Sequence, residues 1–115
     1  MRVVINKVSY PLEVKSSPES IKRGLADVYN LKGGAMFMFP SEGDRTFWMK
    51  DCKIPLDILF LNNNVVSSIH HNCQPCTEEP CERYHGKGNV VLEFEGGFCE
   101  TNNIKKGDAL DIRLY

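Results

Sequence analysis

No apolar run in this 115-residue chain approaches the roughly 20 residues that cross a bilayer, so no membrane partner is expected. The opening MRVVINKVSY has one Arg and a short apolar stretch broken by Asn6 and Lys7, which is not a secretion signal. A cytoplasmic location is therefore expected. Charge of one sign is also missing. Fourteen Lys and Arg face fifteen Asp and Glu, a net charge of -1, which gives no general pull toward nucleic acid or anionic lipid. There is no internal repeat, no low-complexity linker, and no phosphate loop, dinucleotide fingerprint, zinc-protease helix or nucleophile elbow. The run Gly33-Gly34-Ala35 is too short to cradle a phosphate. An established enzyme chemistry is thus not legible, although sites can be assembled from scattered residues. The length fits one domain, residues 1–115, with room for a single core.

What is present points to a mainly β, α+β fold. Arg2 to Val8 is β-branched and alternating, and Tyr10 to Val14 can return beside it as a hairpin. In SSPESIKRGLADVYNLKGG, Ser17 suits an N-cap, Pro18 the first helical position and Glu19 the first turn. Ile21, Leu25 and Val28 share one helical face, and Gly33 and Gly34 end the segment. Gly24 weakens its middle. Strands are expected at AMFMF, TFWM, LDILFL, VVSSI, VVLEFEGG and ALDIRLY, with PSEGD, NNN and KKGD as turns and one helical turn within FCETNNI. Between them HHNCQPCTEEPCERYHGKGN reads as a polar loop of about twenty residues, longer than is usual unless functional or tied down. One helix in the N-terminal half with many short strands predicts a small antiparallel sandwich or barrel-like sheet.

Two clusters carry possible chemistry. The first is RTFWMKDCKIPLDILFL, where charge interrupts large apolar side chains. Strand parity sets Leu56, Ile58 and Phe60 on one face and Asp57, Leu59 and Leu61 on the other. Asp57 is then at an exposed strand end, or buried and paired, with Arg23, Arg45 and Lys50 as candidate cations. A pocket with Phe47 and Trp48 as walls and Arg23, Arg45, Lys50, Asp51 and Asp57 as polar anchors is the functional alternative to a register-fixing ion pair. A Lys50–Asp57 acid–base pair would make the chain an enzyme. The second cluster is the loop. Five cysteines, an odd number, argue against a complete disulfide framework. Cys73, Cys76, Cys81 and His85 form a thiolate–imidazole set of the kind that holds zinc, and such a metal would tie down a coreless loop. Cys73 and Cys76 could instead be a redox pair. Cys52 and Cys99 read as small core hydrophobes.

The succession Arg23-Gly24-Leu25, AMFMF, FWMKDCKIPLD, PCTEEPC with Tyr84, VVLEFEGG and NNIKKGD resembles an uncharacterised bacterial and archaeal family, domain of unknown function 192. The resemblance covers about residues 20–111. It implies a β-rich fold with a single helix near the N-terminus, and no activity. The family commonly carries Met where Ala26 stands, and Asn and Thr where Asp51 and Cys52 stand; Cys73 looks additional. Relatives that look exported share the paired Pro-Cys pattern, which implies a Cys76–Cys81 disulfide. The function expected is therefore a binding or accessory module for an unknown small molecule or protein segment, near the FWMK–IPLD stretch. A zinc-stabilised Cys/His loop acting as an interaction surface and a Lys/Asp enzyme are the alternatives.

Overall fold

The computed structural model describes residues 1–115. The strands are β1 (Arg2–Ile5), β2 (Val8–Lys15), β3 (Gly34–Phe47), β4 (Leu56–Asn62), β5 (Val65–Cys73), β6 (Tyr84–Glu95) and β7 (Asp111–Arg113), with helices α1 (Pro18–Arg23) and α2 (Phe98–Thr101). They form one curled, mixed sheet in the order β5-β4-β6-β3-β2-β1-β7. Six strand pairings build it, and every one is antiparallel except β2 with β3. A parallel pair needs a crossover, and α1 lies in it. The sheet curls until the start of β5 meets the segment before β7. There the Val66 N–H donates to Asp108 O and the Leu110 N–H to Asn64 O, both at 2.8 Å. That partial closure blunts the two edges. No helix is long and apolar enough to cross a membrane.

Alternation along the strands divides the core. Val3, Leu12, Met36, Leu59, Leu61, Leu92 and Phe94 pack on one face with Cys99 and Ile104. Ala35, Phe37, Leu56, Ile58, Phe60 and Val91 pack on the other, covered by Leu25, Met49 and Cys52. The β4–β5 turn places Asn63 and Asn64 at φ 50° and 65°, the left-handed geometry that Asn tolerates and a tight hairpin needs.

The sheet is thus mixed rather than wholly antiparallel, and several boundaries differ from the sequence expectation. Ser17 caps α1, accepting from the Ser20 N–H, but the helix ends at Arg23 with Gly24 as its cap. Gly24 adopts φ 55° and ψ −133°, a conformation essentially confined to glycine, so the periodic Ile21, Leu25 and Val28 reach the core without sharing a helix. β3 runs straight through PSEGD, with an irregularity between Met38 and Gly43. The loop of about twenty residues shrinks because β5 extends to Cys73 and β6 begins at Tyr84.

Asp57 is wholly buried and binds no cation. Its Oδ1 accepts from the backbone N–H groups of Asn72 at 2.8 Å and Gly97 at 3.2 Å, and its Oδ2 from that of Cys99 at 2.9 Å. The side chain therefore ties β4 to the end of β5 and to the first turn of α2. Beside it the Gly96 N–H donates to Pro55 O at 2.9 Å. A Cβ on Gly96 would come within 2.5 Å of the Asn72 side chain. The IPLD and EGG stretches are thus one structural joint. Asp57→Ala strands one buried and two partly buried donors and is expected to lose at least about 3 kcal/mol of unfolding free energy in urea melts, with Asp57→Asn intermediate. A loss under about 1 kcal/mol for the alanine variant would contradict this role.

Candidate functional site

The face opposite Asp57 carries a cavity of ≈ 460 Å³, within the range of small-molecule sites. α1 supplies Lys22 and Arg23 to it, and the turn after the helix supplies Leu25 and Asp27. The segment after β3 supplies Trp48, Lys50 and Asp51, and Glu93 comes from β6. The backbone holds these pieces together. Gly24 turns the chain so that the Asp27 N–H donates to Asp51 O at 3.0 Å and Ala26 bridges to Cys52. Asp27 and Asp51 both sit at positive φ, 64° and 63°, where Asp and Asn are tolerated better than other side chains. Lys50 Nζ lies 3.5 Å from Asp51, and Arg23 lies 3.9 Å from Asp27, which Lys53 also meets at 3.7 Å. Lys22 and Glu19 line the same cavity without an ion-pair partner.

Glu93 is only 3 % exposed, yet it lines the cavity. No protein group hydrogen-bonds its carboxyl, and the Lys15 charge is the single influence that opposes its burial. Desolvation pushes it up from 4.5 to about 8. Buried carboxyls without partners behave this way. The Cys52 thiol is pushed up to about 12, first by burial and then by Glu93 and Asp51. It is a poor nucleophile in that state.

The wall beside Trp48 is held from outside. Cys76 and Cys81 form a disulfide that closes the residue 76–81 loop. Within it, Thr77 O accepts from Lys50 Nζ at 3.1 Å. The Asp51 N–H donates to Cys76 O at 2.9 Å, and the Cys76 N–H to Met49 O at 3.1 Å. Arg83 lies over the indole of Trp48, 4.2 Å from the ring centroid, and donates to Cys81 O at 2.8 Å.

Four of the seven anchors expected from sequence, Arg23, Trp48, Lys50 and Asp51, therefore line one cavity. Three do not. Asp57 faces the other side of the sheet, so the anticipated Lys50–Asp57 pair is not formed and the acid–base enzyme built on it has no geometric basis. Phe47 packs edge-on against Phe37 and Phe60, at 5.0 and 5.9 Å between centroids. Arg45 stacks on Phe39 at 4.1 Å and donates to Gly88 O and Ser41 O. The zinc set is also corrected. The disulfide consumes Cys76 and Cys81, Cys73 is buried, and His85 Nδ1 sits 3.0 Å from Thr46 Oγ1. No three His, Cys, Asp or Glu side chains are placed to share a metal. Glu93 was not anticipated. Parity alone does not single it out in VVLEFEGG, since it shares a strand face with buried Val91 but also with exposed Glu95.

Two measurements follow. The folded protein keeps the Glu93 proton between about pH 4.5 and 8, whereas the unfolded chain releases it. This contribution is greatest below about 4.5 and is lost as pH rises toward 8. Urea midpoints should therefore fall from pH 5 to 8.5 by an amount on the order of 3 kcal/mol from this group, and Glu93→Gln should remove that slope. Separately, Cys81→Ser should cost about 2 kcal/mol through the opened loop and red-shift the emission of Trp48. Unchanged emission with full stability would detach the loop from the wall.

The comparisons with known proteins bear on fold and family. A crystal structure from Sinorhizobium meliloti 1021, described as "a putative transcription regulator", is similar at a TM-score of 0.84 and 24% identity, over 96% of this chain and 89% of that one. A protein of unknown function from Novosphingobium aromaticivorans DSM 12444 is similar at 0.83 and 28%, over 96% and 82%. No curated protein matches. The family model DUF192, described as "Uncharacterized ACR, COG1430", matches residues 1–112, and the chain belongs to that family.

Proposed function

We propose that this chain is a binding module whose small-molecule ligand sits in the cavity over Glu93. The observation that carries the reading is the carboxyl itself. A buried polar group without a partner is costly, and such a group at the floor of a cavity is a natural anchor. The rest of the lining suits a ligand with both apolar and polar parts. Trp48, Ile21 and Leu25 offer apolar surface, while Lys22, Lys50 and Asp51 ring it with charge. Trp48 is 37 % exposed, and Arg83 engages its ring. The wall is thereby preorganised, so little ordering opposes association. A small ligand is favoured over a docked protein segment because the anchor lies at the base of a concavity rather than on a flat face.

A metabolite screen by thermal shift tests the reading. Ligands that raise the melting temperature of the wild type are expected to bind Trp48→Ala at least about tenfold more weakly, a loss of about 1.4 kcal/mol. Ligands that stabilise both proteins equally would place binding elsewhere and overturn it.

A further inference from the structure

The cavity reading leaves the chemistry of the ligand open, and the charge pattern around Glu93 narrows it. Among the cavity-lining ions, Arg23 is engaged with Asp27 and Lys50 with Asp51. That leaves Glu19 beside Lys22, and Glu93 as a further acid with no cation of its own in the lining, protonated until a partner draws its proton off. The deeper acid is nearly inaccessible and unpartnered, while the apolar surface of Ile21, Leu25 and Trp48 lies in the same concavity. Resting on the cavity reading, we propose that the ligand is a small organic cation with N–H donors, an amine or guanidine on an apolar body, whose charged nitrogen bonds the Glu93 carboxylate.

The argument is one of complementarity. A carboxylate can accept from several donors, and Glu93 receives none from the protein. A charged donor gives a bond roughly twice as strong as a neutral one, and it also restores the ionised form that burial disfavours. A ligand carboxylate would instead find a single O–H donor at Glu93 below about pH 8 and like charge above it. The body of the ligand gains from the apolar wall and from the indole face.

Binding should then be linked to a proton. The charged groups around Glu93 are Lys15 on β2, Lys22 and Arg23 on α1, Asp27 after it, Lys50 and Asp51 after β3, and Glu19 at the start of α1. The neighbouring Cys52 stays protonated. Burial brings the proton affinity of Glu93 near neutrality. An amine that remains protonated must displace the proton of Glu93, so affinity should rise with pH by up to about tenfold per unit below 8 and flatten above it.

Trp48 is the single tryptophan and lines both this cavity and the adjoining one beside Phe39, Arg45 and Phe47, so its indole N–H resonance detects binding and Glu93→Gln assigns it to this cavity. Phenethylamine and agmatine are titrated at pH 6, 7 and 8, alongside 3-phenylpropionate and 3-phenylpropanol. The proposal expects the amines to shift the resonance, to bind about tenfold more tightly at pH 7 than at pH 6, and to lose at least about tenfold in affinity with Glu93→Gln. Calorimetry of phenethylamine in two buffers of different ionisation heat should show close to one proton released at pH 7, and none in the variant. The glutamine variant keeps the fold, as its urea midpoint checks. If the carboxylate or the alcohol binds wild type as well as the amines do, or Glu93→Gln binds amines unchanged, the cationic ligand is wrong while the cavity reading stands. If no probe moves the resonance at 10 mM (on the order of the weakest specific affinities), both fall.

Discussion

Three backbone N–H groups converging on the carboxylate of Asp57 are the constraint on which the architecture turns. A strand, the end of its hairpin partner and the first turn of α2 meet there. The Cys99 donor is buried and the Asn72 and Gly97 bonds are partly so, and a buried donor without a partner is costly. A carboxylate is suited to this task because it accepts from several directions without offering a donor of its own. The neighbouring Pro55 carbonyl takes the Gly96 N–H, so the joint is a short ladder rather than a single bond. It fixes how the second half of the sheet folds over the core of Leu59, Leu61, Leu92 and Phe94.

One rung away the same sheet treats an acid in the opposite manner. In the β4–β6 ladder Asp57 pairs with Phe94 and Ile58 with Glu93, so the two buried acids are neighbours in register and face opposite sides. Asp57 is saturated by the backbone. Glu93 receives nothing and pushes its own proton affinity upward. Parity alone separates them. Asp57 is marked as structural by its satisfied bonds, and Glu93 differs by their absence. Burial is common to both and distinguishes neither.

Much of this was legible in the sequence, and the failures have physical causes. The hairpins, the capped start of α1 and the two faces of β4 follow from period and turn chemistry, which are local. Apolar spacing continues past Gly24 and predicts a longer α1, while the Gly24 backbone ends the helix at Arg23 and the next residues, Ala26 and Asp27, bond to Cys52 and Asp51 instead. The polar loop was overestimated because His70 to Cys73 and Tyr84 to Asn89 are strand residues whose partners lie on β4 and β3. For Asp57 the sequence offers an exposed strand end or a cationic partner, because only side chains can be read as candidates, whereas the observed donors are backbone groups. The pairing of Cys76 with Cys81 came from family resemblance, and the zinc set from ligand type alone. Glu93 escaped notice because an acid in a strand reads as a solvent-facing position, and its neighbours of equal parity, Val91 and Glu95, point both ways.

The motif that joins WMKD to IPLD therefore serves two ends at once. Its second half is spent on the Asp57 joint. Its first half turns away from the strand after Phe47, and there Trp48, Lys50 and Asp51 meet the turn formed by Arg23, Gly24 and Leu25. The few residues between the halves carry Cys52, which packs the floor beside Glu93. Movement of the joint would carry this floor with it, since Leu56 and Ile58 continue directly from it into β4. The disulfide loop stiffens the other side through Thr77, Cys76 and Arg83. A cavity clamped at both ends can hold its anchor unsatisfied, because collapse of the walls onto Glu93 would require breaking either clamp. That rigidity lets a desolvated carboxyl persist without a protein partner, and it is the physical argument for proposing Glu93, rather than the exposed charges of the motif, as the anchor.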